Sequence, residues 1–171
     1  MPPSREAHSS SARAIALLRL FLGAVFVAAA IGKFTIYQVG GALPLPVVSA
    51  TWQVELPTRL ALWLTSHPDG MMAAVVRDVL LPNGHFVAGA VAWVQLLAGG
   101  LLVLGLFTRL AAIAAAAVAG ALAISAASRS DLDARPYVLL VAMAVTVLIG
   151  SAGNHFGVDG WRRERRRNRE L

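Results

Sequence analysis

The sequence contains no cysteine and few charged residues, since only 14% of its 171 residues are Asp, Glu, Lys or Arg. The absence of cysteine excludes disulfide exchange, thiolate nucleophiles, iron–sulfur clusters and covalently attached c-type haem. Soluble domains carry about 25% charged residues, whereas 57% of this sequence is hydrophobic and its mean hydropathy is +0.67. Such a composition excludes both a water-soluble domain and a disordered chain. It predicts a single membrane domain over residues 1–171.

Four apolar runs are long enough for transmembrane helices, which need about 20 mostly apolar residues to cross a hydrocarbon core of roughly 30 Å. We predict these spans, in chain order, at residues 14–32, 87–107, 109–127 and 136–152. A cleaved signal peptide is the competing interpretation of the first run. That run is long for a signal sequence, however, and three further spans follow it. The pattern therefore predicts an all-α integral membrane protein built as a four-transmembrane-helix bundle.

Basic residues are distributed unequally between the two ends of the predicted spans. Ten lie on one side, namely Arg5, Arg13, Arg19, Arg109 and six arginines of the tail (residues 153–171), including Arg162 and Arg163. Five lie on the other side: Lys33, Arg59, Arg77, Arg129 and Arg135. The positive-inside rule then predicts a multi-pass protein of the cell membrane with both termini in the cytoplasm. The net charge of +6 is interpreted as this topology signal rather than as a nucleic-acid surface, and four arginines are assigned to anchoring: Arg19, Arg109, Arg162 and Arg163.

The segment between the first two spans, residues 33–86, is too long for a simple turn. Apolar residues recur there at helical spacing over residues 71–81, while Arg77 and Asp78 occupy another face. We predict an amphipathic helix at 71–81 that lies along the outer membrane interface. An earlier stretch, residues 52–64, contains two tryptophans suited to the headgroup region. Together these pieces are expected to cover the outer end of the bundle.

The histidines give little support for a metal or haem site. None of the four lies centrally in a predicted span, and they are separated in the sequence: His8, His67, His85 and His155. A bis-histidine haem needs two ligands on facing helices, so we predict neither haem nor metal. His67 and His85 could meet on the outer side, although surface histidines are the simpler interpretation. The sequence also lacks a P-loop, a nucleophile elbow and an HExxH motif.

A polar residue inside an apolar span is costly, and it usually has a partner or a function. Gln95 lies eight residues into the second predicted span, about 12 Å from its outer end. Its amide can bond another helix, or it can bond a ligand carbonyl that enters from the outer side. The sequence leaves both interpretations open. Lys33 follows the first span and His85 precedes the second, so Gln95, Lys33 and His85 are the candidate binding residues for a quinone or another polar ligand.

Three segments resemble the DoxX/DoxD family and follow one another in the family's order. They are RLFLGAVFVAAAIGKF (residues 19–34), LLPNGHFVAGAVAWVQLLAGGLLVLGLFTRLAA (residues 80–112) and GSAGNHFGVDGWRRERR (residues 150–166). The LGLFTRLAA turn and the GxxFGxD pattern are the more specific parts of this similarity. The resemblance implies a four-helix protein of the bacterial inner membrane. In some members this protein is the small subunit of a thiosulfate:quinone oxidoreductase.

The resemblance implies that this protein is a subunit linked to quinone-dependent oxidation of thiosulfate or another small sulfur donor. The chain has no evident electron carrier, so we expect no intrinsic cofactor, a bound quinone, and a membrane protein partner or a homo-oligomer. The family commonly places Glu where this sequence has Gln95, and a neutral amide cannot carry a proton as a carboxylate does. The alternative function is a non-catalytic structural or assembly subunit of a larger membrane complex. A transporter is less well supported, because neither an inverted repeat nor a broken-helix pair is evident.

Overall fold

The computed structural model describes residues 5–39, 43–127 and 131–150, and most of these residues are α-helical. The helices are α1 (Arg5–Ile31), α2 (Ala50–Ser66), α3 (Met71–Val75), α4 (Gly84–Leu104), α5 (Thr108–Ala127) and α6 (Asp131–Ile149). A hairpin of β1 (Phe34–Val39) and β2 (Leu43–Val48) stands between α1 and α2. A π-helical turn over Val76–Leu80 follows α3 directly.

Three of the described helices are long and apolar enough to cross a membrane: residues Arg13–Ile31 of α1, then α4 and α5. They overlap the first three predicted spans and have the length and composition of membrane-crossing helices. The fourth predicted span, 136–152, begins inside α6, and its last two residues lie outside the described residues. The four-helix architecture is therefore confirmed only in part, because α6 is not among these three and because α2 and α3 are additional helices.

Four long helices pack side by side around the core. α5 packs against α4 and α6, and α1 packs against α4 and α6 as well. The α5 face in this core is built from alanines, which let neighbouring helices approach closely. Larger apolar side chains from the other helices fill the remaining space: Leu22, Phe26, Leu102 and Val147.

α1 and α4 come closest at a pair of facing glycines. A Cβ atom at Gly23 would lie 2.9 Å from the carbonyl oxygen of Gly99. A Cβ atom at Gly99 would in turn lie 2.9 Å from the backbone nitrogen of Val27. Both distances are shorter than real Cβ atoms tolerate, so only glycine allows the two backbones to pack at this distance.

α1 stops short of the N-terminal end of α4. Gly23 of α1 faces Gly99 of α4. From this contact α1 continues for eight residues to Ile31, about 12 Å, whereas α4 extends fifteen residues back to Gly84, about 22 Å. The first turns of α4 therefore extend beyond the end of α1, and the side chain of Lys33 reaches back to Ala29 and across to Gln95.

α2 packs beside this part of α4. The indole nitrogen of Trp52 donates a hydrogen bond of 2.9 Å to the carbonyl oxygen of Ala88. Further along, Pro57 lies against Gly84, where an added Cβ would come within 2.7 Å of the proline ring. One face of α2 is buried by this packing, through Trp52, Leu56, Leu60 and Trp63. The first part of α2 thus lies beside the start of α4, and the expectation that this stretch covers the outer end of the bundle stays a prediction.

The hairpin connects α1 to α2 without moving the chain away from α4. Its strands are antiparallel, with Phe34 opposite Val48 and Val39 opposite Leu43. At its base the amide of Ser49 donates a hydrogen bond of 2.8 Å to the carbonyl oxygen of Lys33. Because this bond joins the two ends of the hairpin, α2 begins next to the place where α1 ends. These strands were not predicted from the sequence.

The segment predicted as a helix at residues 71–81 is helical, and its two consecutive parts have different helical geometries. α3 is α-helical, and the following turn is π-helical, since the amide of Leu81 donates to the carbonyl oxygen of Val76 over 2.9 Å. Ala73 and Val76 are buried. Four larger apolar residues of the segment are exposed, namely Met71, Met72, Val75 and Val79, whereas Leu80 and Leu81 are half-buried against the core. The location of this helix in the outer membrane interface stays a prediction.

The glycine contact between α1 and α4 gives a stability prediction. We expect Gly99→Ala to destabilise the protein by about 1–3 kcal/mol, because the added methyl group overpacks a tight interface. Thermal unfolding of the purified protein in detergent micelles measures this loss. Gly100→Ala is the matched control, since a Cβ at Gly100 has no neighbour within 4 Å. Equal melting temperatures for the two variants would contradict the packing.

Candidate functional site

A hydrogen bond between two predicted site residues joins the end of α1 to the middle of α4. The Nζ atom of Lys33 donates to Oε1 of Gln95 over 2.7 Å and to the carbonyl oxygen of Ala29 over 2.9 Å. Gln95 is only 2% exposed. The carbonyl groups at the C-terminal end of α1 favour a positive charge at this place. Of the two interpretations of Gln95, a bond between structural elements is therefore observed, and a ligand contact stays a prediction.

This bond also determines which way the Gln95 amide faces. An ammonium group has three hydrogen-bond donors and no acceptor, so only the amide oxygen can meet Lys33. The NH₂ group of Gln95 consequently points away from Lys33. The amide can therefore donate a hydrogen bond to the carbonyl oxygen of a ligand or to another acceptor.

Trp52 completes what we call the Lys33 cluster, which consists of Lys33, Gln95 and Trp52. Nζ of Lys33 lies 4.7 Å from the centroid of the Trp52 ring, within the range of a cation–π interaction. The Trp52 ring is held in this position because its N–H is bonded to α4. Beside the cluster, the rings of Phe34 and Trp93 pack edge to face with centroids 4.9 Å apart. The cluster thus places a cation and an amide donor among aromatic surfaces.

α2 adds two charged side chains to the surroundings of the Lys33 cluster. Glu55 and Arg59 lie one helical turn apart and form an ion pair. Burial lowers the pKa of Lys33 from 10.5 to about 8, the Arg59 guanidinium lowers it in the same direction, and the Glu55 carboxylate opposes them. A pKa of about 8 lies close to neutral pH, which suits a group that exchanges protons. Lys33 is also the only lysine in the sequence.

His85, the third predicted ligand residue, is not part of the Lys33 cluster. It is exposed near the start of α4, and ten residues, or about 15 Å of helix, separate it from Gln95. Among the described residues, no group of three or more His, Asp or Glu side chains could hold a metal ion. The structure therefore brings together two of the three predicted binding residues.

The residues predicted to anchor the protein differ in their environment. Arg19 is 3% exposed and lies in the interior of the helices, whereas Arg109 is exposed at the start of α5. Arg162 and Arg163 lie outside the described residues. An anchoring arginine at the inner end of a span is expected to extend its side chain to the membrane interface, whereas the Arg19 side chain is buried. Its assignment as an anchor stays a prediction.

The contribution of α2 to the site was not predicted from the sequence. A usable signal was present, because the spacing of Trp52, Leu56, Leu60 and Trp63 is that of one helical face. Pro57 in the middle of this stretch obscured it, since proline usually interrupts a helix. Glu55 and Arg59, spaced for an ion pair on a helix, depend on the same helix and were missed with it.

Comparison with known proteins gives one match. A family model described as DoxX matches residues 14–128, which covers 115 of the 171 residues and includes the whole Lys33 cluster. No curated protein matches the sequence, and no solved structure matches it.

The surroundings of Lys33 give a prediction for its ionisation. We expect its pKa near 8, a higher pKa in Arg59→Gln because a neighbouring positive charge is removed, and a lower pKa in Glu55→Gln because an opposing negative charge is removed. Reductive methylation with ¹³C-formaldehyde followed by an NMR pH titration reads the single lysine directly. Lys33→Met identifies the signal of the N-terminal amine. A titration near pH 10.5 in the parent protein would contradict the burial of this ammonium group.

Proposed function

Because the chain belongs to the DoxX family of membrane proteins, we propose that it is a membrane subunit that binds a quinone at the Lys33 cluster. In this role it serves the quinone-linked oxidation of thiosulfate or another small sulfur donor. The observation that carries the proposal is the hydrogen bond between Lys33 and Gln95. This bond places two kinds of hydrogen-bond donor side by side at the middle of an apolar helix.

The residues of the cluster fit the carbonyl group of a quinone. A quinone oxygen accepts hydrogen bonds, and both the NH₂ group of Gln95 and the ammonium of Lys33 are donors. Two of the three ammonium donors are used by Gln95 and Ala29, which leaves one for a ligand. The ring of Trp52 and the partly exposed ring of Trp93 provide flat apolar surfaces of the kind that line ligand sites.

When bound, a quinone supplies the oxidising power, because it takes up two electrons and two protons to become a quinol. The electrons come from the sulfur donor: two thiosulfate ions lose one electron each and join through a new sulfur–sulfur bond. The cysteine-free chain provides no thiol relay for these electrons. We therefore assign the oxidation of the sulfur donor to a partner protein that carries a redox cofactor.

Within this proposal Lys33 is the proton-carrying residue. Gln95 stands where the family commonly has Glu, and its amide does not titrate. Lys33 lies 2.7 Å from that amide and can hold a proton at the same place. Gln95 then orients the ammonium and the ligand, while Lys33 provides the charge.

One observation favours the alternative function, a non-catalytic assembly subunit. The oxygen of Gln95 is already bonded to Lys33, so this polar pair stabilises the fold in the absence of a ligand. Large apolar side chains also remain exposed on α4, including Phe86, Leu97 and Leu104, where a neighbouring membrane subunit could pack. The experiment on bound quinone separates the two functions.

We expect the purified parent protein to retain a quinone that organic extraction and absorbance spectroscopy detect. Gln95→Leu should lower the quinone retained by about 2- to 10-fold, which is the effect of one lost hydrogen bond, and Lys33→Met should lower it as well. Gln95→Glu should alter the pH dependence of retention, because a second titratable group is introduced. Gln38→Leu is the matched control, since Gln38 is exposed in β1 away from the cluster. A parent protein without quinone, or three variants that retain it like the parent, would leave the assembly function as the better account.

We also propose that both termini lie in the cytoplasm, as the distribution of basic residues predicts. Single cysteines at Ser10 and Asn168 should resist a membrane-impermeant maleimide in intact cells, whereas a cysteine at Ser128 should react. The natural chain contributes no background signal, because it has no cysteine. Reaction of either terminal cysteine from outside would contradict the predicted orientation.

A further inference from the structure

Arg59, in the middle of α2, carries a buried hydrogen-bond donor, the Nε atom of its guanidinium. The terminal nitrogen Nη2 donates to the Glu55 carboxylate, whereas Nε has no hydrogen-bond partner among the described residues. The Arg59 side chain as a whole is only 16% exposed. A buried donor of a charged group that stays unpaired costs the desolvation penalty of that group. Nε therefore requires a further partner, and this partner must be a hydrogen-bond acceptor.

The geometry of α2 directs the Arg59 side chain toward the Lys33 cluster. Trp52, Glu55 and Arg59 occupy successive turns of one helix face, because they are three and four residues apart. Side chains on a helix lean toward its N-terminus, and Arg59 does so in reaching Glu55. Nζ of Lys33 lies 4.7 Å from the centroid of the Trp52 ring, at the start of this face. The guanidinium charge in turn lowers the pKa of Lys33, so two cations from different elements lie close together at this place.

The charges around this pair of cations do not balance. Lys33 and Arg59 are both positive, and Glu55 is the only acidic residue in the sequences of α2 and α4. Hydrogen-bond donors are in excess as well, since the Gln95 oxygen is already bonded to Lys33 and its NH₂ group is a donor. Two partly buried cations with surplus donors favour a partner that supplies both negative charge and acceptor oxygens.

We propose that Arg59 and Lys33 bind a small oxyanion between them, on the α2 side of the Lys33 cluster. Nε of Arg59 donates to one oxygen of this anion, and the Lys33 ammonium provides a second positive charge. A guanidinium suits the role, because its planar donors match the oxygens of carboxylate and phosphate groups. A soluble oxyanion and the phosphate of a lipid headgroup share this chemistry. The site does not depend on whether a quinone binds at the Lys33 cluster.

Acetylation of Lys33 tests the site in the full-length protein, with sulfate as the probe. A bound oxyanion raises the pKa of Lys33, and a protonated amine does not react with N-hydroxysuccinimidyl acetate. In dodecyl maltoside micelles at pH 8, we expect sodium sulfate to slow the acetylation at least about threefold relative to sodium chloride at equal ionic strength. Mass spectrometry distinguishes the single lysine from the N-terminal amine.

Two arginine variants show whether the effect comes from this site. Arg59→Gln removes the proposed donor, so sulfate should slow acetylation no more than chloride does. Arg77→Gln is the matched control, because Arg77 donates to the carbonyl oxygen of Pro68 and is not part of the pair. This control should respond to sulfate like the parent. An equal response of Arg59→Gln and the parent would overturn the proposal.

Glu55→Gln tests the site without a change in Arg59, which also covers the case in which Arg59→Gln fails to fold. The Glu55 carboxylate competes with the anion for the guanidinium. Its removal should lower the sulfate concentration that gives half of the effect by at least about twofold. A concentration that is unchanged or higher would contradict the proposal.

The source of the oxyanion is identified by adding lipid to the same micelles. Slower acetylation with sulfate assigns the site to a soluble oxyanion. Slower acetylation with phosphatidylglycerol alone, and not with diacylglycerol, assigns it to the phosphate of a lipid headgroup. Both results support an oxyanion site, provided that Arg59→Gln abolishes the effect. If neither sulfate nor phosphatidylglycerol slows the reaction in the parent, the proposal is wrong.

Discussion

The hydrogen bond between Lys33 and Gln95 determines how the first half of this protein is arranged. It joins the end of α1 to the middle of α4, and α1 covers only part of α4. The hairpin and α2 then occupy the space that α1 leaves. Trp52 stabilises the same ammonium group from α2, so α1, α2 and α4 meet at one side chain. A change at Lys33 would therefore affect the packing of α2 as well as the chemistry of the site.

An amide at position 95 affects the ionisation of Lys33 differently from a carboxylate. A carboxylate would form an ion pair and favour the charged lysine over a wide pH range. An amide contributes only a hydrogen bond, and burial together with Arg59 then lowers the lysine pKa. In this chain the titratable group of the pair is Lys33, at the end of α1.

The sequence alone was sufficient to predict the helices that a continuous run of apolar residues indicates. Residues 14–32, 87–107 and 109–127 were identified because a long apolar run is enough to indicate a membrane helix. The hairpin was missed because it includes two prolines and carries a mixed apolar pattern with no clear alternation. Gln95 was recognised as unusual from its isolation in an apolar run. Its partner could not be inferred, because Lys33 is 62 residues away and meets it only through the packing of α1 on α4.

The end-to-end arrangement of α1 and α2 along α4 has a consequence for how the chain is made. A ribosome synthesises α1, the hairpin and α2 before α4, so Lys33 enters the translocation machinery well before Gln95 exists. Helices in a bilayer insert first and associate afterwards, yet α2 has no surface to pack against until α4 arrives. The charge of Lys33 and the N–H of Trp52 must meanwhile be accommodated by water, headgroups or a chaperone. α2 can therefore take up its packed position only after α4 has been made.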